Sequence, residues 1–146
     1  MRIYLDNCCI QRPFDDQFQQ RIKNESIIIE EVLAKCRDRE YELVSSEVLR
    51  FENSKTRDET RQDFVRLVLE DAQIEIPITD TLFIIAQRYY AIGIKPLDAL
   101  HLASAEVSKA EFFCTSDDTL LKKAKRINDL PFKVVNPIEL KKGLLL

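Results

Sequence analysis

Isolated acidic residues stand where strands and helices of this chain are predicted to begin or end. Asp6 follows an apolar run at residues 2–5, and Asp117 follows a second run at residues 111–115. In a parallel sheet the carboxyl ends of the strands meet at one edge, where ligands collect. The spacing therefore indicates a site that contains Asp6 and Asp117. Either Asp117 or its neighbour Asp118 is also expected to cap a helix, which would explain one of these two acids without a site.

Asp98 and Glu52 are further candidates, and each has an ordinary structural explanation. Asp98 lies in the first turn of a helix predicted to begin at Pro96, where a carboxylate complements the helix dipole. Glu52 lies among apolar residues of a predicted helix and could pair with Lys55 or Arg57 on a solvated face. Neither acid indicates a site by itself.

The chemistry of a shared acidic site would be that of a metal ion. Carboxylates that converge on one cleft repel each other and tend to retain their protons, unless a cation binds among them. Ligand sets made only of oxygen suit hard cations such as Mg²⁺ or Mn²⁺ better than zinc.

The elements that must position these acids alternate along the chain, which indicates an α/β fold with a mainly parallel sheet. Strands are predicted at residues 2–5, 42–44, 74–78, 111–115 and 133–135. A loop is predicted at residues 7–16, and helices are predicted at 17–39, after a cap at Ser45-Ser46, around 64–69, from Thr79 or Asp80 to a stop at Gly93, at 96–108 and at 116–126.

Composition limits the class of protein. The chain has 146 residues, 45% of them hydrophobic, which suits a single domain over residues 1–146. Its net charge of −3 argues against a simple electrostatic binder of nucleic acid, although the chain is nearly neutral once the four candidate ligands are set aside. No apolar run could span a bilayer and no leader precedes the first strand, so we expect a cytoplasmic protein. Its four cysteines, Cys8, Cys9, Cys36 and Cys114, lack metal-site spacing and are expected to be reduced, buried thiols.

Four segments resemble, in order, the acidic motifs of PIN-domain nucleases. They are MRIYLDNCC, SSEVLRFE, KPLDALHLASAE and FFCTSDDTLL, and the third is the most specific. The resemblance spans residues 1 to about 136. It implies a three-layer α/β/α fold with a mainly parallel sheet of about five short strands. Carried over by position, the acids of the family fall on Asp6, Glu52, Asp98 and Asp117.

The resemblance also implies an activity, which is hydrolysis of RNA phosphodiester bonds by water activated by one or two Mg²⁺ or Mn²⁺ ions. Asp6, Asp98 and Asp117 would bind the metal, and Glu52 would be the fourth catalytic acid. Glu47 competes with Glu52, but Glu47 lies one residue past the serine cap, where a capping role suffices.

Several neighbours of the acids are candidates for a supporting role. These are Thr115, Ser116, Asp118 and His101. His101 follows Asp98 by three residues and shares its helix face, and we expect it to support or pack against the site rather than to bind metal. Arg12 and Lys95 are candidate contacts for a substrate phosphate, although a solvated charge is an adequate explanation of each.

Small PIN proteins resemble the toxin halves of bacterial toxin–antitoxin pairs. That resemblance implies a small antitoxin that blocks the cleft, and a homodimer. Two other functions stay open. One is a catalytically silent PIN-like module that binds RNA or protein. The other is a flavodoxin-like or receiver-type domain, which would require a clustered acidic pair after the first strand, where this chain has Asp6 alone.

Overall fold

The computed structural model describes all residues, 1–146, and builds them around one five-stranded sheet. The strands are β1 (Arg2–Leu5), β2 (Glu42–Ser46), β3 (Ile74–Ile76), β4 (Phe112–Cys114) and β5 (Lys133–Val135). Their order is β3-β2-β1-β4-β5, and every neighbouring pair is parallel. The predicted α/β class and the parallel sheet of five short strands are confirmed.

Helices cover both faces of the sheet and complete the three-layer α/β/α fold. They are α1 (Asn7–Ile10), α2 (Gln20–Arg37), α3 (Glu47–Ser54), α4 (Glu59–Glu70), α5 (Asp80–Ala91), α6 (Pro96–Ser108), α7 (Asp118–Lys125) and α8 (Pro137–Gly143). Helices α2, α4 and α8 lie against one face, whereas α5 and α6 pack together against the other. No helix combines the length and the apolar character that crossing a membrane requires.

The chain order of the strands creates a crevice in the middle of the sheet. From the central strand β1 the chain continues to β2 and β3 on one side, and then crosses to β4 and β5 on the other. The order therefore reverses between β1 and β4, which is the position where open parallel sheets bind ligands. Asp6 directly follows β1, and its backbone N–H still donates to the carbonyl of Cys114 at 2.9 Å.

Strand β1 forms the centre of the core, because its apolar residues are buried on both faces. Ile3, Tyr4 and Leu5 have no exposed surface. Alternate residues of a strand face opposite sides, so Tyr4 faces α6 and stacks on Phe113 with the ring centroids 5.3 Å apart. All four cysteines are free, and all but Cys8 are buried, in line with the expectation of reduced thiols.

Local signals located most element boundaries correctly. Ser46 accepts from the backbone N–H of Leu49 at 3.0 Å as the N-cap of α3, and Thr79 caps α5 in the same way. Gly93 has a φ of 100°, as the chain reversal after α5 requires. The predicted strand at 74–78 is shorter and ends at Ile76, before Pro77, which has no N–H for the sheet.

Two predictions about the loop and helix boundaries are wrong, and one helix was not predicted. Residues 7–16 are not a loop, because Asp6 caps the short helix α1 and a 3-10 turn follows at Arg12–Phe14. Helix α2 begins at Gln20 instead of residue 17. Helix α8 was not predicted, although Asn136 and Glu139 form a capping box at its start.

Candidate active site

A polar cleft opens beside the carboxyl ends of β1 and β4. It has a volume of about 360 Å³ and is lined by nine residues, of which one, Cys8, is hydrophobic. Asp6, Glu52, Asp98 and Asp117 all line it, so four acids that are far apart in the sequence meet at one place. Glu47 does not line the cleft.

Asp6 is fixed by hydrogen bonds to both carboxylate oxygens. Its Oδ1 accepts from the backbone N–H of Asn7 at 2.8 Å, and its Oδ2 accepts from the hydroxyl of Thr115 at 2.8 Å. Burial raises the pKa of Asp6 and the negative charge of Glu52 raises it further, although the hydrogen bonds and His101 oppose the shift. A carboxyl held this way favours a cation that would stabilise its ionised form.

Asp117 is fixed by the helix that it caps. Its Oδ1 accepts from the backbone N–H groups of Thr119 at 2.9 Å and Leu120 at 3.2 Å. Its own N–H donates to the hydroxyl oxygen of Thr115 at 3.1 Å. The side chain of Thr115 therefore links Asp6 to the turn that carries Asp117. Asp117 both caps α7 and lines the cleft, so the two explanations suggested by the sequence are compatible.

The pKa of Asp98 shows how burial and the other acids of the cleft affect a carboxyl group there. Burial raises its pKa to about 6, with repulsion from Asp6 as the next cause and smaller contributions from Asp117 and Glu52, while His101 opposes the shift. An aspartate in the first turn of a helix ordinarily gains from the helix dipole. The raised pKa of Asp98 means that burial, together with repulsion from the neighbouring acids, outweighs this gain.

Glu52 lines the cleft from α3, and the buried His101 of α6 lies beside it. His101 has no exposed surface, and its Nε2 lies 3.3 Å from Oε1 of Glu52. The pair is close enough for an ion pair, but it lacks hydrogen-bond geometry, and both atoms are buried without any other partner. Burial opposes a charge on His101, yet Glu52, Asp6 and Asp98 together raise its pKa. One ligand atom from each of Asp6, Glu52 and His101 lies within 4.8 Å of the others.

Two sequence candidates form ion pairs outside the cleft. Asp118 is exposed, and its two oxygens accept from Arg21 at 2.8 Å each, which lowers the pKa of Asp118. Arg12 binds Asp15 at 3.1 Å and Glu25 at 3.5 Å, and it does not line the cleft.

Lys95 lies close to two of the acids, whereas the side chain of Ser116 binds outside the cleft. Lys95 forms no ion pair and lines a small pocket together with Asp98 and Asp117. Ser116 contacts none of the four acids, because its hydroxyl donates to Oε2 of Glu25 at 2.8 Å.

Glu25 is a buried acid that the sequence analysis missed. It is 2% exposed, and it accepts from Nε of Arg21 at 2.6 Å as well as from Arg12 and Ser116. The signal was present in the pattern of α2, because Glu25 lies three and four residues from the buried Ile22 and Ile29. A glutamate on an apolar helix stripe is a buried acid that needs partners.

The cleft acids fit a divalent cation. None of the four forms an ion pair with a lysine or an arginine, and the one ion-pair partner among them is His101. Carboxylate oxygens dominate the set, and the unpartnered Oε1 of Glu52 and Nε2 of His101 are two buried atoms that a cation would satisfy. A separate apolar cavity of about 340 Å³ between α2 and α4, lined by Leu33, Phe64 and Val68 among others, offers no comparable chemistry.

Comparison with known proteins agrees with the fold and identifies the family. The model of the PIN domain family matches residues 11–126, most of the chain. The chain belongs to the PIN domain family. No curated protein matches it significantly.

Solved structures of similar fold cover nearly the whole chain. FitAcB from Neisseria gonorrhoeae matches with a TM-score of 0.58 and 16% identity, over 93% of this chain and 98% of that one. VapBC2 from Rickettsia felis, bound to a DNA fragment from their promoter, matches with a TM-score of 0.58 and 14% identity over the same shares. FitAB bound to the IR36 DNA fragment matches with a TM-score of 0.55 and 15% identity, over 92% of this chain and 94% of that one.

Proposed function

We propose that the protein is a metal-dependent ribonuclease that hydrolyses RNA phosphodiester bonds. The observation that carries the proposal is the convergence of four carboxylates, none of them paired with a lysine or an arginine, in the cleft of a PIN-family chain. Burial and mutual repulsion make the ionised forms of these acids costly, as the raised pKa values of Asp6 and Asp98 indicate. Acids perturbed in this way are typical of functional sites, and a bound cation would offset both costs.

In this proposal each acid has a defined task. Asp6, Asp98 and Asp117 bind one or two Mg²⁺ or Mn²⁺ ions, and Glu52, whose side chain is 28% exposed, is the fourth catalytic acid and lies within reach of an ion bound at Asp6. The cation supplies a Lewis acid, which lowers the pKa of water and stabilises charge on the phosphate. Thr115 holds Asp6 and the Asp117 turn in place.

Lysines near the cleft are the proposed contacts for RNA phosphates. Lys95 lies beside Asp98 and Asp117, and Lys55 lines the cleft itself. Neither lysine forms an ion pair within the protein, although the ammonium group of Lys55 lies 5.2 Å from the centre of the Phe51 ring, so both can contact a phosphate without breaking an ion pair. Arg12 is a weaker candidate, because Asp15 and Glu25 already neutralise it.

We further propose that the chain is the toxin of a toxin–antitoxin pair. Its motifs resemble those of such toxins, and its fold is similar to VapBC2 and FitAB, which were solved with DNA. The expected partners are a small antitoxin that covers the cleft and a second copy of the chain, and the expected location is the cytoplasm. Production of the protein alone should arrest growth, and production of Asp98→Asn should not.

The direct test is RNA cleavage by the purified protein. Mixed cellular RNA is incubated with and without Mn²⁺, beside the Asp98→Asn variant. We expect cleavage that requires the metal and falls at least about 100-fold in the variant, equivalent to about 2.7 kcal/mol of transition-state stabilisation. Asp118→Asn is the matched control, because Asp118 is exposed, pairs with Arg21 and lies outside the cleft.

The outcome also separates the alternative function. A folded protein that binds RNA but never cleaves it, with any divalent cation, would be a silent PIN-like module. Cleavage that survives a chelator, or that Asp98→Asn leaves unchanged, would overturn the proposed mechanism.

A further inference from the structure

We propose that His101 binds the cation directly through Nε2, so that this site prefers first-row transition ions such as Mn²⁺ and Co²⁺ to Mg²⁺. The inference rests on the proposed metal site and adds a nitrogen ligand to it. The ligands of this ion would be Asp6, Glu52 and His101, whose ligand atoms lie within 4.8 Å of one another.

Nε2 of His101 has no hydrogen-bond partner. His101 is 0% exposed, and no hydrogen bond reaches its Nε2. Oε1 of Glu52 lies 3.3 Å away, and it is equally buried and without a partner. Leaving a buried polar atom unpaired costs about 1–3 kcal/mol, so two such atoms side by side are unusual in a well-satisfied core. A cation between them would satisfy both.

The imidazole ring of His101 is held in place through its other nitrogen, Nδ1. Nδ1 lies 2.7 Å from the hydroxyl of Tyr4, which in turn lies 2.8 Å from the hydroxyl of Ser46. If Nδ1–H donates to Tyr4 and Tyr4 donates to Ser46, Nε2 carries the lone pair that a metal needs. Histidine ligands are commonly oriented by a hydrogen bond from the other ring nitrogen. Tyr4 and Ser46 are themselves fully buried and belong to β1 and β2, so the ring is held by the sheet.

Carboxylate oxygens and an imidazole nitrogen together form a mixed ligand set, which affects the choice of cation. Mg²⁺ prefers oxygen ligands and retains most of its waters, whereas imidazole nitrogen suits later first-row ions. Two carboxylates with one imidazole therefore bind Mn²⁺ or Co²⁺ with an advantage that a set of carboxylates alone would not provide. His101 thus becomes the residue that determines metal preference. Without the metal, the alternative arrangement is an Nε2–H that faces Glu52.

The chain allows a direct test, because His101 is its only histidine. Protein without an affinity tag is loaded with Mn²⁺, and pulsed electron paramagnetic resonance is used to detect coupling to an imidazole nitrogen. We expect a coupling in the wild-type protein and none in His101→Asn. Bound Mn²⁺ without imidazole coupling in the wild-type protein would overturn the inference, and this measurement does not depend on the folding of any variant.

Calorimetric titration provides the second readout. The wild-type protein should bind Mn²⁺ at least about tenfold more tightly than Mg²⁺, and His101→Asn should lose about tenfold or more of its Mn²⁺ affinity. Its Mg²⁺ affinity should change by less than about threefold, since oxygen ligands remain. An equal loss of affinity for both ions, or no loss for either, would count against direct binding.

The two proposals fail in different ways. If the wild-type protein binds neither ion, the proposed metal-dependent function fails together with this inference. If it binds Mn²⁺ and cleaves RNA without a nitrogen ligand, only this inference fails.

Discussion

Two groups of acids meet at the turn between β4 and α7, and the protein neutralises only one of them. Alternate residues of this extended turn contact opposite groups. Thr115 and Asp117 belong to the cleft, whereas Ser116 and Asp118 bind Glu25 and Arg21. The arginine-paired group fixes the turn, whereas the carboxylates of the cleft are not paired with any arginine.

The difference between the groups shows how a fold can support a costly site. Arg12 and Arg21 donate hydrogen bonds to Glu25 and neutralise its buried charge. The neighbouring carboxylates raise the pKa values of both arginines, although partial burial opposes the shift. The cleft acids have no such cations, and burial and repulsion raise the pKa of Asp98 to about 6. The buried Glu25 has arginine partners that neutralise it, whereas the cleft acids, of which only Asp6 is fully buried, have none.

Glu25→Ala is expected to cause the largest loss of stability, because it removes the acid at the centre of the arginine-paired group. Removing one member of a buried ion pair leaves Arg12 partly buried without its full complement of charge, so the free energy of unfolding should fall by about 3 kcal/mol. Urea unfolding measures it. Glu25→Gln keeps a hydrogen-bond acceptor for Ser116 and should lose less. A loss below about 1 kcal/mol for the alanine variant would show that the arginine pairs carry little of the stability.

Metal addition should affect only the cleft. At a Mn²⁺ concentration 100 times its dissociation constant, the wild-type protein should gain about 2.7 kcal/mol of stability, seen as a rise in Tm. Asp98→Asn should gain much less, because the ion loses a ligand. Glu25→Gln is the control, and its gain should match that of the wild-type protein. The same gain in Asp98→Asn would remove Asp98 from the metal site.

Without metal, the same Asp98→Asn variant should be more stable than the wild-type protein at neutral pH. The pKa of Asp98 is raised to about 6 in the folded protein, so folding favours its protonated form. The resulting penalty is absent below about pH 4, grows as the pH rises, and is complete above about pH 6. Because the side chain is only partly buried, the gain for Asn should be on the order of 1 kcal/mol.

Urea unfolding in a chelator at pH 4.5 and pH 7.5 measures this contribution. The difference between the variant and the wild-type protein should be larger at the higher pH. A variant that is less stable at pH 7.5 would mean that Asp98 is a stabilising helix-start residue.

The smallest effect is expected from Asp118→Asn. Asp118 and Arg21 form a well-aligned pair, and Arg21 lowers the pKa of Asp118, but both side chains are at least half exposed. We expect a loss below about 0.5 kcal/mol that shrinks further in high salt. Differential scanning calorimetry at two salt concentrations checks it, and a loss as large as that of Glu25→Ala would make the whole arginine network one cooperative unit.

Local patterns predicted most of the scaffold but missed some features whose signals were weak. Short apolar runs located all five strands, and helix starts were visible at Ser46 and Thr79, because caps depend on neighbouring residues alone. The short helix α1 was missed, since four residues carry no periodicity. Three apolar residues of the predicted helices are exposed, because they lie off the buried face of each helix: Phe51, Leu67 and Phe83.

The candidate site divides in the same way. Asp6 and Asp117 were expected together because strand ends in a parallel sheet share an edge, and the PIN resemblance added Glu52 and Asp98 to them. Glu25 was not expected at all, since its partners Arg12 and Ser116 come from separate elements. Nothing in the spacing of His101 showed that its Nε2 would lie buried beside Glu52 without a hydrogen bond.

The sequence by itself determined the class of fold, the order of its elements and which acids stand at their ends, because caps, periodicity and strand ends are local properties of the chain. Only the tertiary structure decided which of those acids are neutralised by arginine and which are left to face each other. That decision depends on the distances between side chains from different helices and strands, and those distances are set by the packing of the whole core.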